Sequence, residues 1–243
     1  MMYGLGFGAF RHAMIGSLGG AVNPLWNNLI GYYTSDNTPN TSIGSVNGTL
    51  VNGATYATGK INNAFSFDGV NDYVDLGDTY SFDGTSAFSI STWINLSVMS
   101  SQINVISKIN NGGNFNGWQL VIINNYLRFS LVNNYYTNNW IDKYSTTALS
   151  TNTWYSIVVT YNGSQNQSGL KLYINSVESS YNNIVNSLTS TISTTGLKCA
   201  IGCRNGLDNF ANGKIDETAV FDSELTSAQV TELYNSGNGL QYI

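Results

Sequence analysis

The chain has 243 residues, 42% of them hydrophobic and 13% aromatic, enough apolar material for a core that needs no covalent staples. Only 9% are charged, 14 acidic against 9 basic for a net charge of −5, and no Lys/Arg cluster of the kind that neutralises phosphates occurs, so nucleic acid is not an expected partner. The surface is therefore neutral and rich in amides, hydroxyls and tyrosines; it suits partners that offer hydroxyls and apolar ring faces, unless it records only drift in base composition.

Residues 1–20 are Gly-rich and apolar, and Arg11 and His12 interrupt the apolar stretch. An export signal carries its positive charge ahead of that stretch, so two readings stand: an export segment, or an arm that packs into a partner protein because it is too apolar to stay in water. No apolar run reaches the roughly 20 residues that span a membrane. Pro24 and the pair Asn27 and Asn28 make residues 21–28 a linker in this reading. Residues 1–28 are thus expected as arm and linker, and residues 29–243 as one folded domain.

Short apolar runs then recur between Asn and Gly turns: 29–33, 64–67, 73–76, 88–96, 104–109, 118–123, 126–132, 154–161, 170–174, 198–204 and 214–221. Such spacing predicts an antiparallel sandwich or barrel. Asn124 and Asn125 predict a hairpin turn, because Asn tolerates the positive φ that such turns need. Cys199 and Cys203, in a strand-like run, would share a face roughly 13 Å apart at about 3.3 Å per residue. That exceeds the reach of a disulfide, about 7 Å between Cα atoms, so two buried free thiols are expected, or a disulfide if a turn bridges them. Neither a second Cys pair nor a His cluster completes a tetrahedral metal site. A helix is predicted over 224–237. Thr226 and Gln229 form its capping box, Leu225 and Val230 its hydrophobic staple, and Gly237 its left-handed exit.

Three Asn/aromatic segments are candidate ligand loops: 110–117, 133–144 and 162–169. The middle one is the richest. Tyr135, Tyr136 and Trp140 offer flat apolar faces to a sugar ring, and Asn139 and Asp142 offer acceptors for its hydroxyls. The competing reading makes it a strand pair whose aromatics fill the sandwich or a subunit contact. Trp93, Trp118 and Trp154 fall in strand-like runs and are expected in the core.

Several segments carry a family likeness. The run 47–77, containing Phe65-Ser66-Phe67-Asp68-Gly69 and Asn71-Asp72-Tyr73-Val74, resembles the opening half of laminin-G-like (concanavalin A-like) jelly-roll domains. Residues 88–94, 154–163 with 170–175, and 213–221 with the helix resemble their later segments in order, so the likeness covers roughly residues 29–237. It implies an all-β, antiparallel two-sheet jelly-roll sandwich with one short C-terminal helix and an extended N-terminal arm. It also implies a structural Ca2+ held by Asp36 and Asp216 with backbone oxygens, as suits an ion that takes 6–8 oxygen ligands. The loop 40–47 that follows the first strand carries no carboxylate.

The family includes glycosidases, which need two carboxylates flanking the sugar bond. The Glu-x-Asp-x-Glu run of related glucanases is absent, Asp72 and Asp75 are spaced to face opposite ways on a strand, and the single histidine, His12, lies in the N-terminal segment. The expectation is a non-enzymatic, lectin-like adhesion module displayed on a bacteriophage virion as a tail, fibre or capsid decoration protein. It would bind a host glycan, dock on other virion proteins through residues 1–28 and form part of an oligomeric assembly. A purely structural virion protein and a secreted bacterial adhesin are the alternatives.

Overall fold

The structure, a computed structural model, describes residues 23–99 and 101–242. The arm expected over residues 1–22 lies outside the described residues. In chain order the strands are β1 (Leu29–Tyr33), β2 (Thr49–Val51), β3 (Thr55–Thr58), β4 (Asn63–Asp68), β5 (Tyr73–Asp75), β6 (Phe88–Leu96), β7 (Ile103–Ile109) and β8 (Gly117–Ile123). They continue with β9 (Tyr126–Asn134), β10 (Asn139–Ala148), β11 (Tyr155–Tyr161), β12 (Leu170–Ile174), β13 (Val177–Glu178), β14 (Tyr181–Asn186), β15 (Ala200–Ile201) and β16 (Asn212–Phe221); helix α1 spans Ser227–Tyr234.

The strands pair in two antiparallel sheets. The first runs β13-β12-β11-β6-β16-β4-β3 with β1 added on β16, and the second runs β14-β10-β9-β8-β7-β15-β5-β2. Alternation decides which side chains meet between them. In β9, Leu127, Phe129 and Leu131 are buried in the same core as Trp118 and Leu120 of β8 and Phe88, Ile90 and Ile94 of β6. Phe82 stacks on Phe88 at 4.1 Å, and the Trp118 indole donates to the Tyr80 carbonyl at 2.9 Å, so this aromatic centre also satisfies its polar edge. The Asn124 and Asn125 turn joins β8 to β9 with φ of 50° and 72°, as expected of a two-residue hairpin.

The helix carries both halves of the expected capping box, and Leu225 and Val230 bury together in a second cluster beneath it. Its left-handed exit is Asn235 at φ 47°, with Gly237 one 3-10 turn later. Asn reaches this conformation through its short polar side chain, so the helix ends sooner than the glycine signal implied.

Other differences have similarly local causes. The presumed linker is partly folded: Asn23 caps a 3-10 turn at Pro24–Trp26, and Leu25 and Trp26 bury against Leu29, Tyr32 and Phe221. Two large apolar side chains beside a proline turn have a core within reach and enter it. Only Ala200 and Ile201 of the run 198–204 are strand, because the chain turns at Gly202, where φ is 89°. Cys199 consequently joins the main core and Cys203 a small cluster with Tyr73 and Ala200. Both are free and buried, and burial pushes both thiols up to about 12. Trp93 and Trp118 are buried as expected, whereas Trp154 is half-buried just ahead of β11.

Candidate functional site

The segment 133–144 is mostly strand. Strand β9 continues to Asn134, β10 begins at Asn139, and Trp140, Asp142 and Tyr144 pair across with Val132, Ser130 and Arg128. The period of two sorts the side chains of this hairpin. Ile141 points into the main core, while Trp140, Asp142 and Tyr144 stand on the outer face with Arg128, Ser130 and Val132. The expected sugar-facing loop is therefore the end of a hairpin plus the outer face of the second sheet.

On that face a row of flat groups runs along β10. Tyr135 stacks on Trp140 with centroids 5.3 Å apart and planes at 29°. The Arg128 guanidinium lies 5.5 Å from the Trp140 ring and 4.8 Å from the Tyr144 ring. Phe115, from the 110–117 loop, meets Tyr135 edge-on at 5.9 Å and Tyr136 at 6.2 Å. The two loops are tied where the Tyr135 N–H donates to the Asn114 carbonyl at 2.9 Å. Beside this row opens a pocket of about 240 Å³, whose lining includes Phe115, Gln119, Arg128, Ser130, Tyr135 and Arg204.

The pocket's charges are internally matched. Asp142 is fully buried; its Oδ1 accepts from Arg128 Nε at 2.8 Å and Ser130 Oγ at 3.1 Å. Arg128 also donates to the Tyr144 hydroxyl at 3.0 Å. Burial pushes the Asp142 carboxyl up, and Arg128 pulls it back down. Arg204 grips Asp208 through two N–H groups at 2.7 and 2.6 Å, the bidentate geometry that matches guanidinium to carboxylate. Two buried polar atoms next to the pocket, Trp140 Nε1 and Asp142 Oδ2, have no hydrogen-bond partner among the described residues.

The five expected ligand residues thus divide. Tyr135 and Tyr136 are 47% and 69% exposed, while Trp140 is 4% exposed and Asp142 fully buried. Trp140 is a buried support for Tyr135 and Arg128 rather than a free stacking platform, because it faces a sheet surface covered by neighbours. Asn139 is half-buried and turned away: its side chain accepts from the Thr189 N–H at 2.9 Å and donates to Ser190 Oγ at 3.3 Å. The 162–169 loop lies on the far side of β10, where the Gln167 amide donates to the Asp142 backbone carbonyl.

Sequence reasoning missed Gln119, Arg128 and Ser130. The signal was present, since all three alternate with core residues of β8 and β9. Arg204 carried no such signal; a bridge to Asp208 holds it in place.

Asp36 and Asp216 do come together, between β1, the β3–β4 turn and the C-terminal tail. Asp216 Oδ2 accepts from the N–H groups of Lys60 and Ile61 at 2.8 and 3.1 Å, and its Oδ1 from the Glu217 N–H at 2.9 Å. Asp36 accepts from the Asn63 N–H at 2.9 Å and from the Asn62 and Gln241 amides at 3.1 and 3.2 Å. Glu217, at φ 49° in the bulge of β16, accepts from the Tyr32 hydroxyl and from Gln241 at 2.8 Å. Burial raises the Asp216 carboxyl to about 7 and that of Glu217 to about 8. N–H and O–H donors thus face these oxygens, and among the described residues no group of three or more acidic, Cys or His side chains converges as a metal cage. A Ca2+ ion, which takes 6–8 oxygen ligands, would have to displace these donors to be held by Asp36 and Asp216.

A sequence profile described as the concanavalin A-like lectin/glucanases superfamily matches residues 68–231. No curated protein matches. Among solved structures, domain 4 of an extracellular arabinanase from Geobacillus stearothermophilus, in complex with arabinotriose, aligns with TM-score 0.62 and 22% identity over 84% of this chain and 97% of that one. The binding domain of a paraclostridial mosquitocidal protein aligns with TM-score 0.67 and 18% identity over 88% of this chain and 53% of that one. A botulinum neurotoxin type C structure, whose cell entry depends on two ganglioside molecules, aligns with TM-score 0.65 and 20% identity over 90% and 52%. The chain spans about half the length of these two toxin chains. The mosquitocidal neighbour is a binding domain, and the arabinanase domain holds arabinotriose.

Proposed function

Because the chain belongs to the concanavalin A-like lectin/glucanase superfamily, we propose that it is a non-catalytic, lectin-like module that binds carbohydrate on the outer face of its second sheet. One observation carries the reading: exposed Tyr135, backed by Trp140 and flanked by Phe115 and exposed Tyr136, stands over a pocket whose polar walls are amides, hydroxyls and neutralised guanidinium groups. Flat apolar area with a few aimed polar groups is what a sugar ring needs. The carboxylates next to the pocket, Asp142 and Asp208, are both committed to arginines, which leaves neither as a free acid or base.

The setting we propose is a bacteriophage virion surface, with the part of the expected arm that precedes the folded Pro24–Trp26 turn, residues 1–22, docking the module onto other virion proteins and the pocket face turned to a host glycan. The apolar N-terminal sequence and the charge-poor composition motivate this reading. Deleting residues 1–22 should then leave folding intact and abolish incorporation into the particle; normal incorporation would remove the docking role.

A glycan array on the purified protein tests the binding reading directly. A retained glycan whose signal falls on Tyr135→Ala supports it, and a blank array sinks it. Trp140→Ala is a poor probe, because removing a buried indole should cost about 3–5 kcal/mol of stability.

A further inference from the structure

A second concavity adjoins the first. It holds about 340 Å³ and is lined by Tyr126, Tyr144, Ser145, Thr146 and Asn182. Arg128 lines the first pocket and Tyr144 the second; they are cross-strand partners joined by a 3.0 Å hydrogen bond and a 4.8 Å ring contact. The two concavities therefore share one wall, and Tyr126, Arg128, Ser130 and Val132 lie on the same face at alternate positions of β9. From Tyr126 to Val132 that face extends roughly 20 Å by strand rise, far longer than one sugar ring.

Charge narrows the occupant further. Arg128 is closed by Asp142 and Arg204 by Asp208, so the groove presents directed N–H groups without a net positive field. An anionic sugar would find no uncompensated cation, and its own desolvation would go unmatched. Neutral hydroxyls can use the guanidinium N–H groups that Asp142, Tyr144 and Asp208 leave over and the half-buried Gln102 amide in the pocket wall.

Resting on the carbohydrate-binding reading, we propose that the site is an extended groove with at least two subsites divided by the Arg128–Tyr144 wall, and that it takes an internal stretch of a neutral polysaccharide rather than a terminal or acidic sugar. Tyr135 supplies the platform of one subsite and Tyr126, 39% exposed, that of the other.

The experiment is calorimetric titration with graded neutral oligosaccharides, from one to about six units, cut from arabinan, mannan, glucan and galactan, beside sialylated and uronic acid oligomers. Affinity should climb by about tenfold or more from the single sugar to the longer oligomers and then level off, with the acidic series weaker. Tyr126→Ala should remove the gain with length and leave the shortest bound ligand unaffected, whereas Tyr135→Ala should weaken every length by about tenfold. Both residues are exposed, so both variants should fold, which a melting curve verifies. Affinity that does not grow with length, a Tyr126→Ala variant that keeps the gain, or a preference for acidic oligomers overturns the extended neutral groove while leaving carbohydrate binding intact. Absence of binding at every length and charge overturns both.

Discussion

Among the described residues the buried carboxylates are Asp72, Asp142, Asp216 and Glu217, and Asp142 and the Asp216–Glu217 pair resolve the cost of burial differently. On the groove face, Asp142 is paired with Arg128 and stays tied to a cation. In the first sheet, Asp216 and Glu217 are met by backbone N–H groups, a tyrosine hydroxyl and an amide, without a cation, and both are pushed toward the neutral acid. Burial disfavours a charge, and an opposite charge within reach offsets that cost. The groove carboxylate has such a partner, and the acid cluster behaves as a hydrogen-bonded structural clasp between β1, β16 and the tail.

The sharpest way to break this comparison is to remove one partner of the ion pair. Asp142→Asn should cost about 3–5 kcal/mol in denaturant unfolding, because Arg128 is left without its countercharge in a largely buried place. Glu217→Gln, by contrast, should change stability at neutral pH by less than about 1 kcal/mol, since an amide replaces a group already close to neutral there. Equal losses in the two variants would mean that the clasp is charged.

A smaller effect separates the two places by pH. The folded-state values of Asp216 and Glu217 lie above the ordinary carboxyl range, so the folded state holds protons that the unfolded chain releases. Their contribution is fully present below the unfolded carboxyl values and is lost as pH rises toward 7 for Asp216 and 8 for Glu217. Melting should accordingly show stability lower at pH 8.5 than at pH 5 by on the order of 2 kcal/mol, and Glu217→Gln should flatten much of the trend. Added calcium or a chelator should leave the wild-type curve unchanged. A calcium-dependent rise in melting temperature would show that these oxygens can turn to a metal after all.

The smallest stability effect should come at the groove rim. Tyr136 is 69% exposed, so Tyr136→Ala should move stability by no more than about 0.5 kcal/mol while still weakening glycan retention on the array. A large stability loss would make that aromatic rim a structural element instead of a recognition surface.

Much of the fold was legible because most strands keep one face apolar. The runs 88–96 and 170–174 match β6 and β12 residue for residue, and the capping box and staple placed the helix start. Strand β10 was legible only as the competing reading of the 133–144 segment, since its sequence departs from that pattern on both faces. Lys143 points inward, donates to the Leu170 carbonyl and lies 3.6 Å from the Tyr181 ring centre, while Trp140 points outward. A polar residue in and an aromatic residue out is what a loop looks like in sequence, and only pairing with β9 and β14 makes it a strand. Of the candidate site, the two exposed tyrosines were visible and the arginines were not, because their role depends on the carboxylates that register and a bridge place beside them.

The two cysteines have a practical corollary. A thiol held near 12 carries almost no thiolate at neutral pH, and thiolate is the form that oxidants and disulfides attack. Cys199 and Cys203 are both free, one in the main core and the other in the small cluster with Tyr73. With both thiols free, what holds this part of the domain is the packing around them and not a covalent crosslink.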